Sequence, residues 1–178
     1  GKAGVEVGTE KAWELCDKYN LPRMVYVTEM DVDDASFRQV VETLREKYGK
    51  VIAPHFMPIR ENEKLVGYVN IIKNAGRATQ RWKREECEIP DYCMEYLQQY
   101  REALMESVAE TSEEYMERYF LGEEFTQEEI SQALRTHVIE GDIVPVMMVP
   151  ALTARDLRCF CRPWTNTSRH RIILSVLA

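Results

Sequence analysis

Apolar positions change their period several times along the chain. Over residues 9–19 they recur at helical spacing, with Ala12, Leu15 and Cys16 on one face and Asn20 as a stop. Pro22 breaks that pattern. Residues 23–27 are a short, β-prone apolar run between breakers, the form a buried parallel strand takes. A polar turn over 28–34 leads to Ser36, which opens a second helix with Gln39 three positions on, as in a capping box. Phe37, Val40, Val41 and Leu44 form its apolar stripe, and Gly49 closes it.

Beyond Gly49 the pattern shortens. Residues 51–59, 65–72 and 78–82 are expected as strands separated by turn-like segments, which gives an antiparallel sheet. From Asp91 the helical period returns, with Cys93, Leu97, Tyr100, Leu104 and Val108 on one side. Ser112 caps a further helix whose Tyr115, Met116, Tyr119 and Phe120 are expected in the core, with Gly122 ending it. Thr126 and Glu129 form a second capping box ahead of Ile130, Leu134 and Val138, and Gly141 closes that helix. Residues 143–149 are again an apolar strand run.

The two buried strand candidates are far apart: Glu29 to Asp142 spans 114 residues. A strand–helix–strand crossover needs only about 30. The sequence therefore predicts an α/β layer interrupted by an α+β insertion of antiparallel sheet plus helices. That layer is incomplete, because only two convincing parallel strands can be found.

Composition narrows the class. The 178 residues are 45% hydrophobic, too apolar for a disordered chain, and no apolar run approaches the roughly 20 residues that span a bilayer. Residues 1–10 lack the apolar stretch of a signal peptide, so none is expected there. Five cysteines (Cys16, Cys87, Cys93, Cys159, Cys161) without a CxxC pair point to reduced thiols and a cytoplasmic protein. The net charge of −7 is unevenly spread: residues 85–140 hold 16 acidic and 3 basic residues, a local balance of −13. A free-standing DNA binder would need the opposite sign. The acidic segment is read as a solvated face or as a docking surface for a basic partner. His55, His137 and His170 show no metal-ligand spacing and are read as structural, so no metal site is expected.

The residues then carry a resemblance. Gly4-Val-Glu-Val-Gly-Thr9, Ala12-Trp13 and Pro22-Arg-Met-Val-Tyr-Val-Thr-Glu-Met-Asp31 resemble the guanine-reading stretch of elongation factor G and its relatives. The likeness continues through Ile89-Pro90, residues 100–110 and 117–124, and Ile143-Val-Pro-Val146, covering roughly residues 3–150. It implies a P-loop-NTPase-type parallel sheet made of residues 1–48 with 141–157, interrupted by a G-prime-like insertion over 49–140. Residues 158–178 are then an atypical tail, read as a foreign or frame-shifted end with a divergent helix as the alternative.

The resemblance also locates the expected cofactor site. The family's guanine box, Asn-Lys-x-Asp, falls on Thr28, Glu29, Met30 and Asp31. Asp31 matches the base-binding Asp, but Glu29 replaces a Lys with an anion facing a polyanionic ligand. At about 6 Å and an effective dielectric of about 20, one charge pair is worth about 2–3 kcal/mol. The last box, Gly-Ser-Ala, reads Val149-Pro150-Ala151, where only Ala151 matches and Pro150 has no N–H to donate. No Gly-x-x-x-x-Gly-Lys-Ser/Thr loop is present, and no Asp has Gly three positions later. Phosphoryl transfer needs those parts, so no catalytic residue is assigned and the chain alone is expected to be inactive.

The resemblance thus implies a fragment of an elongation-factor-G-like GTPase. GTP or GDP and Mg2+ would be bound by the longer parent, which acts on the ribosome in translocation or a related step. The acidic insertion would meet the ribosomal stalk protein, with no DNA or membrane partner. The alternatives are a nucleotide-independent ribosome- or protein-interaction module, and a ribosome protector of the tetracycline-resistance type.

Overall fold

The computed structural model of the protein describes residues 4–30, 36–61, 64–80, 83–148 and 173–177. In chain order the elements are α1 (Val7–Lys18), β1 (Arg23–Val27), α2 (Phe37–Tyr48), β2 (Ile52–Pro54), β3 (Phe56–Glu61), β4 (Lys64–Asn70) and β5 (Ala75–Gln80). They continue with β6 (Lys83–Cys87), α3 (Asp91–Ala109), α4 (Glu113–Phe120), α5 (Gln127–Glu140), β7 (Val144–Met148) and β8 (Ile173–Leu177). Two four-stranded sheets result, a parallel one in the order β2-β7-β1-β8 and an antiparallel one in the order β3-β4-β5-β6. With five α-helices among the described residues this is the expected α/β fold carrying an antiparallel sheet.

The helices form where cap and stripe agree. Ser36 Oγ accepts the Gln39 N–H, and the four predicted stripe residues of α2 are all buried. Thr126 and Glu129 make both halves of the capping box, and α5 ends at Gly141 in the left-handed conformation at φ 93°. The α3 stripe is buried as expected. Two faces depart from expectation. In α1 the buried residues are Thr9, Trp13 and Cys16, whereas Leu15 is exposed. Trp13 stacks on Tyr48 of α2 at 3.7 Å between ring centroids, and the Arg23 guanidinium lies 4.2 Å from the Trp13 ring. A large ring that can pack on both an aromatic and a cation rotates the helix toward itself and turns Leu15 outward. In α4 no residue is buried, and Phe120 is 79% exposed, so the supposed core stripe is largely a surface. Only Tyr115 of that stripe packs against the core, edge-on to Phe125 at 5.3 Å.

The run over 51–59, read as one strand, is two. β2 pairs parallel with β7, and β3 pairs antiparallel with β4. His55 is the changeover: its N–H donates to Val146 O at 2.9 Å, and its carbonyl accepts the Ile71 N–H at 3.1 Å. A continuous apolar run has no period to announce that break, because sheet membership depends on the partner strands. The parallel sheet also has four strands rather than two. Besides β2 it gains β8 from the segment read as an atypical tail, paired with β1 from Arg23↔Ile173 to Val27↔Leu177. The antiparallel sheet gains β6, which the charged sequence Lys-Arg-Glu-Glu-Cys concealed. Gly67 lets β4 and β5 meet closely, since a Cβ there would lie 2.5 Å from Arg77 O.

One buried cluster joins both sheets with α2, α3 and α5. Polar ties reinforce the junction. Arg45 of α2 bonds Ile52 O at 3.2 Å and pairs with Glu106 of α3 at 2.6 Å, while Lys50 reaches Glu106 and Glu110 at 3.1 and 2.9 Å. Part of the acidic excess is therefore neutralised at home. Glu113, Glu114, Glu117 and Glu124 are left exposed, while Glu123, also exposed, pairs with Arg118 at 3.1 Å.

Candidate guanine-nucleotide site

In open parallel sheets ligands bind beyond the carboxyl ends of the strands. Here the register sets Val27, the last residue of β1, opposite Met148, the last of β7. The carboxyl ends of these adjacent strands therefore lie at the same level. β1 and β7, far apart in sequence, thus end side by side.

The first of them is held firmly. Thr28 and Met30 are both fully buried, and Met30 belongs to the core cluster. Glu29 between them is exposed and left-handed, at φ 55°. A non-glycine residue in that region costs about 1–2 kcal/mol, tolerated here because its two neighbours are pinned in the core. The turn thus presents the Glu29 carboxylate to solvent at the carboxyl end of β1. The two other candidate residues, Asp31 and Ala151, lie outside the described residues, as does Pro150.

Elsewhere, His55 is buried at the joint between the sheets, and burial pushes its imidazole down to about 4. It stays neutral in the fold and lies among core residues, in keeping with the structural role the sequence suggested. His170 lies outside the described residues. His137 does not stand alone: its ring faces the carboxylates of Glu140 and Asp142, a grouping that the sequence reading missed. A second surface surrounds α4. A shallow cavity of about 270 Å³, lined by residues including Arg101, Met105, Tyr119 and Phe125, adjoins exposed Phe120 and Leu121. Among the described residues no helix is long and apolar enough to cross a membrane.

Comparison with known proteins now decides the family. Residues 1–169 match the family described as the elongation factor Tu GTP binding domain. The chain belongs to that family. The resemblance to elongation-factor-G-like translational GTPases holds, as a piece of the elongation-factor-type GTP-binding domain. A solved structure from Thermus thermophilus is similar at 34% identity and a TM-score of 0.72, covering 83% of this chain and 22% of that one. The chain thus spans about a fifth of that protein's length. The match to the elongation factor family also reaches residue 169, inside the 158–178 segment expected to be an atypical tail.

Proposed function

We propose that residues 28–31 and 149–151 form the guanine-reading edge of an elongation-factor-G-like translation factor. It would act on the ribosome in the cytoplasm, in translocation or a related GTPase step. The observation that supports this reading is the register of Val27 opposite Met148, which ends β1 and β7 at one level of the parallel sheet. Asp31 would accept the N–H pair of the base, with Ala151 across from it. The phosphates of GTP or GDP and their Mg2+ would be held by parts that these 178 residues do not include, since no phosphate loop is among them. On this reading the G-prime-like insertion runs from Phe56 rather than from Gly49, because β2 pairs within the parallel sheet.

Fluorescent GDP titrated into a protein that carries this chain together with a phosphate-binding loop tests the reading. Micromolar binding is expected, and Glu29→Lys should tighten it by about 10- to 100-fold by reversing the sign of one charge near the ligand. Absence of binding with and without that substitution would overturn it. It would favour a nucleotide-independent interaction module, the reading that anionic Glu29 and the N–H-less Pro150 themselves suggest.

Exposed Glu113, Glu114 and Glu117 beside Phe120 and Leu121 support a docking surface for a basic partner, with the ribosomal stalk protein as the proposed one. Reversing all three charges should weaken a salt-sensitive pull-down of the stalk protein by at least tenfold. Unchanged capture would exclude this face.

A further inference from the structure

Three ligand-bearing side chains meet where α5 hands over to β7. His137 Nδ1 lies 2.9 Å from Glu140 Oε2 and 3.3 Å from Asp142 Oδ2, and the three ligand atoms all fall within 4.8 Å of one another. Among the described residues this is the one such grouping of three. We propose that His137, Glu140 and Asp142 form a surface site for a divalent transition-metal ion of the zinc class.

The distances suit such an ion. Bonds of about 2.1 Å from metal to N or O ligands put neighbouring ligand atoms about 3.0 Å apart in an octahedron and about 3.4 Å apart in a tetrahedron. The two contacts of His137 already match those edges, and the two carboxylates, whose ligand atoms lie within 4.8 Å of each other, would need only to close on the ion. The donor set is also specific in kind. One imidazole with two carboxylates suits zinc, cobalt, nickel or manganese, whereas calcium and magnesium sites use oxygen alone.

Two further features favour a cation here. Neutral imidazole with two carboxylates carries a charge of −2, and the site lies at the carboxyl end of α5, where the helix dipole adds negative potential. The backbone is fixed in advance. The His137 carbonyl accepts the N–H groups of Gly141, Asp142 and Ile143 at 3.0, 2.9 and 3.2 Å, and left-handed Gly141 brings Asp142 back beside the ring. Residues at i, i+3 and i+5 match no familiar ligand spacing, which is why the expectation of no metal site followed from sequence. A bound ion would staple the end of α5 to Ile143, the buried residue that leads into β7. The remaining coordination positions would hold water, since both carboxylates are exposed.

The test is a Zn2+ titration of the full, chelator-stripped chain, following the ring signals of its three histidines by NMR. The His137→Gln variant assigns the relevant signal. One equivalent of Zn2+ at micromolar affinity should shift the His137 signal and leave the His55 signal in place. Glu140→Gln and Asp142→Asn should each weaken binding at least tenfold, and the double substitution at least a hundredfold. Their melting temperatures without metal should stay within a degree or two of the original, which separates ligand loss from misfolding. A His137 signal unmoved at millimolar Zn2+ overturns the proposal, including the case in which cysteines capture the ion. Carboxylate variants that bind as tightly as the original chain overturn it as well.

Discussion

His55 shows how much can hang on one residue. It completes the parallel sheet with its N–H and starts the antiparallel one with its carbonyl, and its ring is buried against Phe56 at 4.4 Å between centroids. Burial penalises the charged ring and lowers its pKa from 6.5 to about 4. Between those values the unfolded chain binds a proton that the folded chain refuses. The contribution is therefore fully present above about pH 6.5 and is lost as pH falls toward 4. Urea unfolding at pH 7 and pH 5 should show a loss of about 2 kcal/mol from this group, and the His55→Gln variant should lack that part of the slope. The sequence marked His55 only as a strand residue; that it is the joint required knowing which strands lie on either side. Glu29 differs, because its charge and its place after an apolar strand were legible. Its left-handed backbone was not, since nothing in the residue type favours that conformation.

At the scale of elements, local chemistry was most legible where caps and stripes coincide. α2, α3 and α5 follow their apolar periods, and α5 carries the full capping box. Arg118 and then the Thr126 N–H hold the Glu129 carboxyl down at about 2. Its contribution is thus present above about pH 4.5 and is lost only as pH falls toward 2. Replacing the cap itself, Thr126→Ala, should cost about 1 kcal/mol of stability at pH 7, read as a lower urea midpoint with unchanged slope. α4 teaches the reverse lesson. Its Ser112 cap and aromatic residues gave the helix correctly, yet Phe120 and Leu121 are exposed. Periodicity finds an amphipathic helix, but it cannot say whether the apolar face meets the protein's own core or another surface. Strands were less legible than helices. β6 is a charged strand recruited by pairing with β5, and β2 and β3 share one unbroken apolar run.

At the scale of the whole molecule, the two sheets are one cooperative body. Their buried residues form a single cluster, and Arg45, Lys50, Glu106 and Glu110 bridge α2 and the segment after it to α3. Unfolding in urea should accordingly be one transition, with tryptophan fluorescence and far-UV circular dichroism coinciding. A separate early loss of the antiparallel sheet would contradict that account. The charge asymmetry belongs to this scale too. Of the acids behind the −13 of residues 85–140, Glu106 and Glu110 pair with α2 and its following turn, Glu123 and Glu129 pair with Arg118 of α4, and Glu113, Glu114 and Glu117 of α4 are exposed.

By itself the sequence determined the α/β class, the long interruption between the two buried strands, the helix caps, the elongation-factor likeness and the anion Glu29 after the first apolar strand. These are encoded in residue type and spacing, so they can be read without knowing any partner. Only the tertiary structure decided that β2 joins β7, that residues 173–177 pair with β1, that α4 faces outward and that Asp142 returns to His137. Each of these depends on contacts between residues distant along the chain or on a backbone turn. A linear pattern of apolar and polar positions does not record such contacts.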